Sequence, residues 1–112
     1  MLPKPNRLNL KTSFKWVSSG QRKQTSYFKI FYRFGENPKP LVGIALSKSS
    51  FKNAVERNRG RRLSSVAISQ LYKALRNNLN LVMMPKANIL ESNPELLIKD
   101  LENVKEIFST TN

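Results

Sequence analysis

The sequence YFKIFYRFGENPKPLVGIAL, residues 27–46, places two apolar stretches on either side of a turn. Aromatic and β-branched residues dominate residues 27–34, and this composition favours a β-strand. The two-residue alternation of a strand puts the basic side chains of this segment on one face, which contains Tyr27, Lys29, Phe31 and Arg33. Residues 35–40 are rich in glycine and proline and predict a turn. Residues 41–46 are nearly all apolar, so we expect a central strand that returns antiparallel to the first.

Helical patterns flank this strand–turn–strand unit. Before it, Thr12 or Ser13 is expected to cap a short helix that runs through Ser19, with Gly20 as the stop signal. After it, a long helix is predicted from Asn53 to Arg76. Helical spacing gives that helix a buried stripe of Leu63, Ala67, Leu71, Ala74 and Leu75.

A further strand and helix complete the domain. Residues 79–84 form an apolar run that predicts a buried strand, closed by Pro85. Asn93 is the expected cap of a last helix, with Pro94 in its first position and an apolar side that continues through Phe108. The order of elements predicts an α+β domain, with helices packed on one face of a mixed sheet.

The positive charge of the chain is confined to its first 62 residues. The whole chain has 20 lysines and arginines against 7 acidic residues, which gives a net charge of +13. Residues 1–62 hold 15 of the basic residues and two acidic ones, whereas residues 63–112 hold five of each. Charge segregated in this way favours a polyanionic partner, for which we expect nucleic acid. An anionic membrane surface is the alternative, and it requires an amphipathic basic helix.

Several classes of function are excluded by residues that the chain lacks. It has no cysteine and no histidine, which excludes a disulfide framework, a zinc ribbon and a histidine-based catalytic triad. No apolar run reaches the roughly 18 residues that span a membrane, and the first five residues lack a signal-peptide core. We therefore expect one cytoplasmic domain over residues 1–112, with an ordered core at about 6–108, no catalytic side chain and no metal site of its own.

The most informative segment is residues 52–63, KNAVERNRGRRL, at the beginning of the predicted long helix. Guanidinium groups donate paired hydrogen bonds to phosphate, which lysine does not offer in the same geometry. A helix N-terminus also favours anions, whereas a merely solvated charged face is the alternative. At about 100° per residue, the arc away from the apolar stripe contains Arg57, Asn58, Arg61, Arg62 and Ser65.

The order of motifs is that of a known family. Ala54-Val55 precede Arg57-Asn58-Arg59, and the basic pair Arg61-Arg62 follows. With these residues the chain resembles the protein subunit of bacterial ribonuclease P. The resemblance extends over residues 2–108, through Leu2-Pro3-Lys4, Asn6-Arg7-Leu8, Phe14, Gly20, Val42-Gly43-Ile44, Ser47-Lys48 and Leu81-Val82-Met83-Met84-Pro85. It implies a fold like the second domain of ribosomal protein S5, with a left-handed crossover around the basic helix.

The resemblance also implies an accessory subunit of an RNA enzyme. In that family the RNA subunit cleaves the 5′ leader from precursor transfer RNA, using Mg²⁺ that is bound mainly by the RNA. The expected partners are the catalytic RNA and precursor transfer RNA, with no membrane and no obligate protein partner. The positions implied to contact the catalytic RNA are Lys52, Arg57, Asn58, Arg59, Arg61 and Arg62. Those implied to bind the leader are Phe14, Lys29, Phe31, Arg33 and Lys48.

Two other functions stay open at this point. A structural, ribosome-associated RNA-binding protein would share the charge pattern without affecting cleavage of precursor transfer RNA. A DNA-binding protein would place the basic helix in the major groove, but the strand predicted before that helix argues against a helix-turn-helix motif. For Phe14 and Phe31, core packing is the alternative to base stacking.

Three positions depart from the family pattern. Ser65 stands where a further arginine is common, and Ser18 stands where a second aromatic residue is often found. Gly60 stands where a branched aliphatic residue is common, and its helical angle places it on the buried stripe. We expect this position to be underfilled, so that Gly60→Ala raises thermal stability, because glycine in a helix costs about 1 kcal/mol relative to alanine.

Overall fold

The structure, a computed structural model, describes residues 2–47 and 49–108. Its helices are α1 (Leu10–Ser18), α2 (Ala54–Leu71), α3 (Pro94–Glu102) and α4 (Lys105–Phe108), and its strands are β1 (Gln21–Gln24), β2 (Phe28–Phe34), β3 (Leu41–Ile44) and β4 (Leu79–Pro85). Short 3₁₀ helices occur at Lys4–Asn6, Tyr72–Ala74 and Ala87–Glu91. The α+β class and the mixed sheet are therefore confirmed.

The four strands lie in the order β1-β2-β4-β3. β2 pairs antiparallel with β1 and β4, and β3 pairs parallel with β4. The predicted reversal of direction between β2 and β3 is confirmed, but β4 lies between them. α2 therefore connects the two parallel neighbours, β3 and β4, as one crossover.

The main core lies between the sheet and helices α2 and α3. Phe28, Ile30 and Tyr32 of β2 are buried on this face, as the alternation predicts. Ala67 and Ile68 of α2 pack against them in the same cluster. The side chains of this face thus fix the orientation of α2 on the sheet.

The opposite face of the sheet is covered by α1, so the prediction that helices pack on one face only is wrong. Val17 of α1, Leu8 and Val82 of β4 form a second buried cluster there. Phe31 packs against it from β2. The sequence of α1 contains too few apolar residues to show which part of the sheet it packs on. The pairing of β2 with β4 places Phe31 beside Val82 on the face that α1 covers.

The helix boundaries follow from their caps. Asn9, rather than Thr12 or Ser13, caps α1 by accepting a hydrogen bond from the Lys11 N–H. Asn53 caps α2, which ends at Leu71 rather than continuing to Arg76. The predicted cap of the last helix is confirmed, because the Asn93 side chain accepts a hydrogen bond from the Leu96 N–H at 3.0 Å. The predicted run to Phe108 is divided between α3 and α4.

The turn between β1 and β2 is held by a buried carboxylate of α3. Asp100 is 6% exposed. Its two oxygens accept hydrogen bonds from the backbone N–H groups of Ser26 and Tyr27, at 3.0 and 3.1 Å. This contact joins the main-core helix α3 to the beginning of β2, the strand that carries Lys29, Phe31 and Arg33.

Candidate nucleic-acid interface

The beginning of α2 is fixed by reciprocal hydrogen bonds around Asn53 and Glu56. The Asn53 side chain accepts from the Glu56 N–H at 2.9 Å, and the Glu56 carboxylate accepts from the Lys52 N–H at 3.0 Å. This arrangement is close to a capping box, which satisfies backbone donors that a helix N-terminus leaves free. The cap determines which residues form the first turns, and so it positions the arginines that follow.

The four arginines of α2 have different surroundings. Arg57 is half-buried and donates to the Phe51 carbonyl oxygen at 3.2 Å, which corrects its predicted place on a purely solvent-facing arc. Arg59 is exposed and donates to the Leu90 carbonyl oxygen at 3.4 Å, beside the 3₁₀ helix Ala87–Glu91. Arg61 donates to the Asn58 side chain at 3.1 Å.

Most of the hydrogen-bonding capacity of this surface remains available. Each guanidinium carries five N–H donors, and the bonds given above use one donor each of Arg57, Arg59 and Arg61. Arg59, Arg61 and Arg62 are exposed, as are Lys52 and Asn58. We call these five residues together with Arg57 the arginine surface. Five of its six residues are exposed near the beginning of a helix, and guanidinium groups in such a place are suited to bind phosphate.

Ser65 does not belong to the arginine surface, which corrects the predicted arc. It is 3% exposed and lines a cavity of about 210 Å³ between the N-terminal segment, β3 and α2. Arg7 and Arg61 also line this cavity. Because Ser65 is buried, the exposed basic face of α2 does not extend to this position.

Lys29, Phe31 and Arg33 lie on the same face of β2, as predicted, and all three are half-buried. Arg22 of β1 and Val82 of β4 are the register partners of Phe31, so Phe31 stands between a cation and the second apolar cluster. Core packing and base contact are both compatible with this half-buried position. We call Arg22, Lys29, Phe31 and Arg33 the β2 surface.

The remaining positions predicted to bind the leader have less uniform surroundings. Phe14 lies on α1 and is half-buried. Lys48 lies outside the described residues. Next to it in the chain, Ser47 and Ser49 line a groove of about 360 Å³ together with Lys29 and Lys86. The Lys86 ammonium donates to the Thr25 carbonyl oxygen at 2.7 Å, so Lys86 also supports the β1–β2 turn.

Two residues beside the predicted positions, Arg22 and Trp16, are not among the positions that the sequence analysis predicts. Arg22 lies in β1, whose four residues are all exposed and lack the apolar alternation of a strand. Trp16 lies on α1 and is 42% exposed. The sequence of α1, which is basic and aromatic, indicates that Trp16 is a candidate, but only the structure shows that its ring contacts Arg33.

The described part of the chain offers no metal centre and no membrane span. Over residues 2–47 and 49–108, three or more Asp, Glu, His or Cys side chains do not come together at any point in an arrangement that could hold a metal ion. Within the same ranges, the helices are all too short or too polar to cross a bilayer.

Comparison with known proteins agrees with this description. The family model for ribonuclease P matches residues 2–108. The ribonuclease P protein component of Pseudanabaena sp. (strain PCC 6903) is 32% identical over 106 residues, covering 93% of this chain and 91% of the relative. That of Pseudoalteromonas translucida (strain TAC 125) is 31% identical over 80 residues, covering 71% of this chain and 56% of the relative.

Solved structures give the same fold. The ribonuclease P protein from Thermotoga maritima superposes with a TM-score of 0.79 at 18% identity, covering 92% of this chain and 97% of that one. The Staphylococcus aureus ribonuclease P protein superposes with a TM-score of 0.75 at 18% identity, covering 91% and 94%. Because the family model spans nearly the whole described chain, the protein belongs to the ribonuclease P protein family and is a subunit of that endonuclease.

Proposed function

We propose that the arginine surface binds the catalytic RNA of ribonuclease P, and that the β2 surface with Phe14 binds the 5′ leader of precursor transfer RNA. The observation that carries this proposal is the capped beginning of α2, which holds exposed guanidinium groups on a rigid helix. The other side of the same helix is buried, and it contains Gly60, Ser64 and Ala67. Because the helix fixes the backbone of these residues before binding, only their side chains have to be ordered by the RNA.

The protein is proposed to act by binding, and the RNA to perform the cleavage. A hydrolytic site for RNA in a protein commonly requires a general base or clustered carboxylates for metal ions. The chain has no histidine, and its described residues provide no group of three metal-binding side chains. We propose that the Mg²⁺ of the holoenzyme is bound mainly by the RNA, as the resemblance to the family implies.

The leader is proposed to bind by stacking and by phosphate contacts. Every base has a π-face, so an aromatic side chain accepts leaders of different sequence. Phe31 offers such a face next to Arg22, with Lys29 and Arg33 two residues away on either side. Lys48 is expected to add a phosphate contact from the loop before α2.

Reconstitution with the cognate RNA subunit at low Mg²⁺ tests the proposed function. The wild-type protein should stimulate accurate 5′ cleavage of precursor transfer RNA. RNA binding that leaves cleavage unchanged would contradict the proposal and favour a structural RNA-binding role.

A charge-reversal pair tests the arginine surface. Arg61→Glu with Arg62→Glu should weaken binding to the RNA subunit about a hundredfold or more, because each lost charged hydrogen bond costs about 1.5–3 kcal/mol. Lys73→Glu with Lys99→Glu is the matched control, since both lysines are exposed and the net charge changes equally. Equal losses for the two pairs would show that net charge, rather than this surface, determines binding.

A further inference from the structure

Trp16 is a large aromatic side chain that the fold leaves accessible. It is the only tryptophan of the chain, and it is 42% exposed on α1. An exposed apolar residue is common on protein surfaces and needs no function by itself. The surroundings of this ring, however, hold it in a defined position on the basic side of the sheet.

Arg33 fixes the ring from β2. Its guanidinium carbon lies 4.8 Å from the centroid of the Trp16 ring, within the range of a cation–π contact. The same guanidinium donates to the Trp16 carbonyl oxygen at 3.3 Å and to the Ser19 hydroxyl at 3.1 Å. These three contacts attach Arg33 to the last turn of α1, and so they keep the cation beside the indole.

The turn after β2 provides the space for the ring. A Cβ atom on Gly35 would lie 3.1 Å from Cη2 of Trp16, closer than carbon atoms normally approach. The backbone N–H of Gly35 donates to the Asn78 carbonyl oxygen at 2.9 Å, which fixes this turn against the chain before β4. The indole therefore rests against an anchored backbone rather than moving freely in solvent.

The Trp16–Arg33 pair continues the β2 surface at its far end. Lys29 and Arg33 are four residues apart on one face of β2, a distance of about 13 Å at the usual rise of a strand. Phe31 lies between them, and the exposed side chain of Lys15 neighbours Trp16 in sequence. Aromatic rings that alternate with cations along a single line are the pattern of a site for single-stranded nucleic acid.

We propose that Trp16 and Arg33 form a second stacking site, which takes one unpaired nucleobase of the leader beyond the one at Phe31. The inference rests on the proposed function, because it assumes that the leader follows the β2 surface. The indole presents its π-system to the base, and Arg33 adds a cation that contacts either the base or the adjacent phosphate. The site is tolerant of sequence, since it offers stacking rather than base-specific hydrogen bonds.

The single tryptophan allows a direct test in the unmodified protein. Holoenzyme is titrated with precursor transfer RNAs whose leaders are shortened one nucleotide at a time, and tryptophan fluorescence is recorded. Stacking on the indole should quench the emission, and the quenching should disappear below one particular leader length. Emission that is unchanged by leaders of every length would overturn the proposal.

Variants separate stacking from packing. Trp16→Leu should weaken binding of precursor transfer RNA about tenfold relative to mature transfer RNA, whereas Trp16→Tyr should retain most of the preference. Leu96→Ala is the matched control, because Leu96 of α3 is 44% exposed. A Trp16→Leu protein that is less stable but keeps the full preference would show that the ring only covers the turn.

The two proposals fail in different ways. If wild-type holoenzyme cleaves and prefers the precursor but the Trp16 results are negative, only the second stacking site is wrong. If the wild-type protein does not stimulate cleavage at all, the proposed function itself is wrong.

Discussion

Replacement of Gly60 by alanine tests how closely α2 packs against the loop that precedes it. A Cβ atom at Gly60 would lie 3.1 and 3.3 Å from Cε1 and Cζ of Phe51, and 3.4 Å from Cδ2 of Leu46. Carbon atoms in good contact are about 3.5–4.0 Å apart. Phe51 is fully buried, so its ring has little room to move away. The sequence correctly places Gly60 on the buried side, but the position is closely packed rather than underfilled.

The expected change in stability is the difference between two opposing terms. Alanine favours the helix over glycine by about 1 kcal/mol. Forcing an extra methyl group into a packed core costs about 1–3 kcal/mol. We therefore expect Gly60→Ala to lower the free energy of unfolding by about 1 kcal/mol, contrary to the expectation from sequence, and to lower the melting temperature by about 4 °C.

Urea unfolding in two backgrounds measures this contact. Leucine has no atoms where Phe51 has Cε1 and Cζ, so in a Phe51→Leu protein the Gly60→Ala change should stabilise by about 1 kcal/mol. The sign of the effect should therefore differ between the backgrounds. A stabilising effect of Gly60→Ala in the wild-type background would refute the argument, because it would show that the ring gives way at no cost.

The contact also reaches the interface. The Phe51 carbonyl oxygen accepts the hydrogen bond from Arg57, so displacement of Phe51 is transmitted to the arginine surface. We expect Gly60→Ala to weaken binding of the RNA subunit a few-fold at a temperature where the variant is fully folded. The Phe51→Leu background again provides the comparison, since the Gly60→Ala change should not weaken binding further there.

Four other predictions concern binding and stability. RNA affinity should fall by about three orders of magnitude between 50 and 200 mM salt if roughly six phosphates are neutralised, and a flat response in a binding titration would contradict this electrostatic account. Phe31→Ala should weaken binding of precursor transfer RNA by about 1–3 kcal/mol more than binding of mature transfer RNA, whereas equal losses would assign Phe31 to packing alone. Tyr72→Phe should cost about 1 kcal/mol, because the hydroxyl donates to the Pro40 carbonyl oxygen at 2.6 Å. Burial raises the pKa of Tyr72 above 10.0. The excess in free energy of unfolding of the wild-type protein over Tyr72→Phe should therefore be complete below pH 10 and decline as the pH rises through the folded-state pKa. Urea unfolding at several pH values measures this difference. Asp100→Ala should cost about 2–4 kcal/mol in urea unfolding, since two backbone N–H groups lose their acceptor, and a loss below 1 kcal/mol would show that water replaces the carboxylate.

The elements whose apolar residues recur at regular spacing could be predicted from the sequence, whereas the elements that they pair with or pack on could not. β2, β3 and β4 are apolar runs bounded by turns, and the buried side of α2 has helical spacing. β1 was missed because Gln21–Gln24 is exposed throughout and exists as a strand through its pairing with β2. The insertion of β4 between β2 and β3 depends on contacts far apart in the chain, which local periodicity does not contain.

The same distinction applies to the interface. The segment at residues 52–63 predicts an arginine-rich helix start, and its local cap is confirmed by the structure. The contacts of each arginine depend on the neighbours of α2. Arg57 donates to the Phe51 carbonyl oxygen, and Arg59 donates to the Leu90 carbonyl oxygen in the 3₁₀ helix Ala87–Glu91. A helical-angle plot treats these positions as equally exposed, since it has no information about what packs beside the helix.

Trp16 shows why the proposed leader-binding side is harder to predict than the arginine surface. The resemblance to the family implies that α1 lacks, at Ser18, an aromatic side chain that is often found at this position. The structure places Trp16 against Arg33 of β2, so α1 presents an aromatic ring beside a different strand position. Binding of an unpaired base requires a π-face and a nearby cation rather than one particular residue position. Under the proposal above, Trp16 therefore supplies to the predicted leader site an aromatic ring that the position of Ser18 lacks.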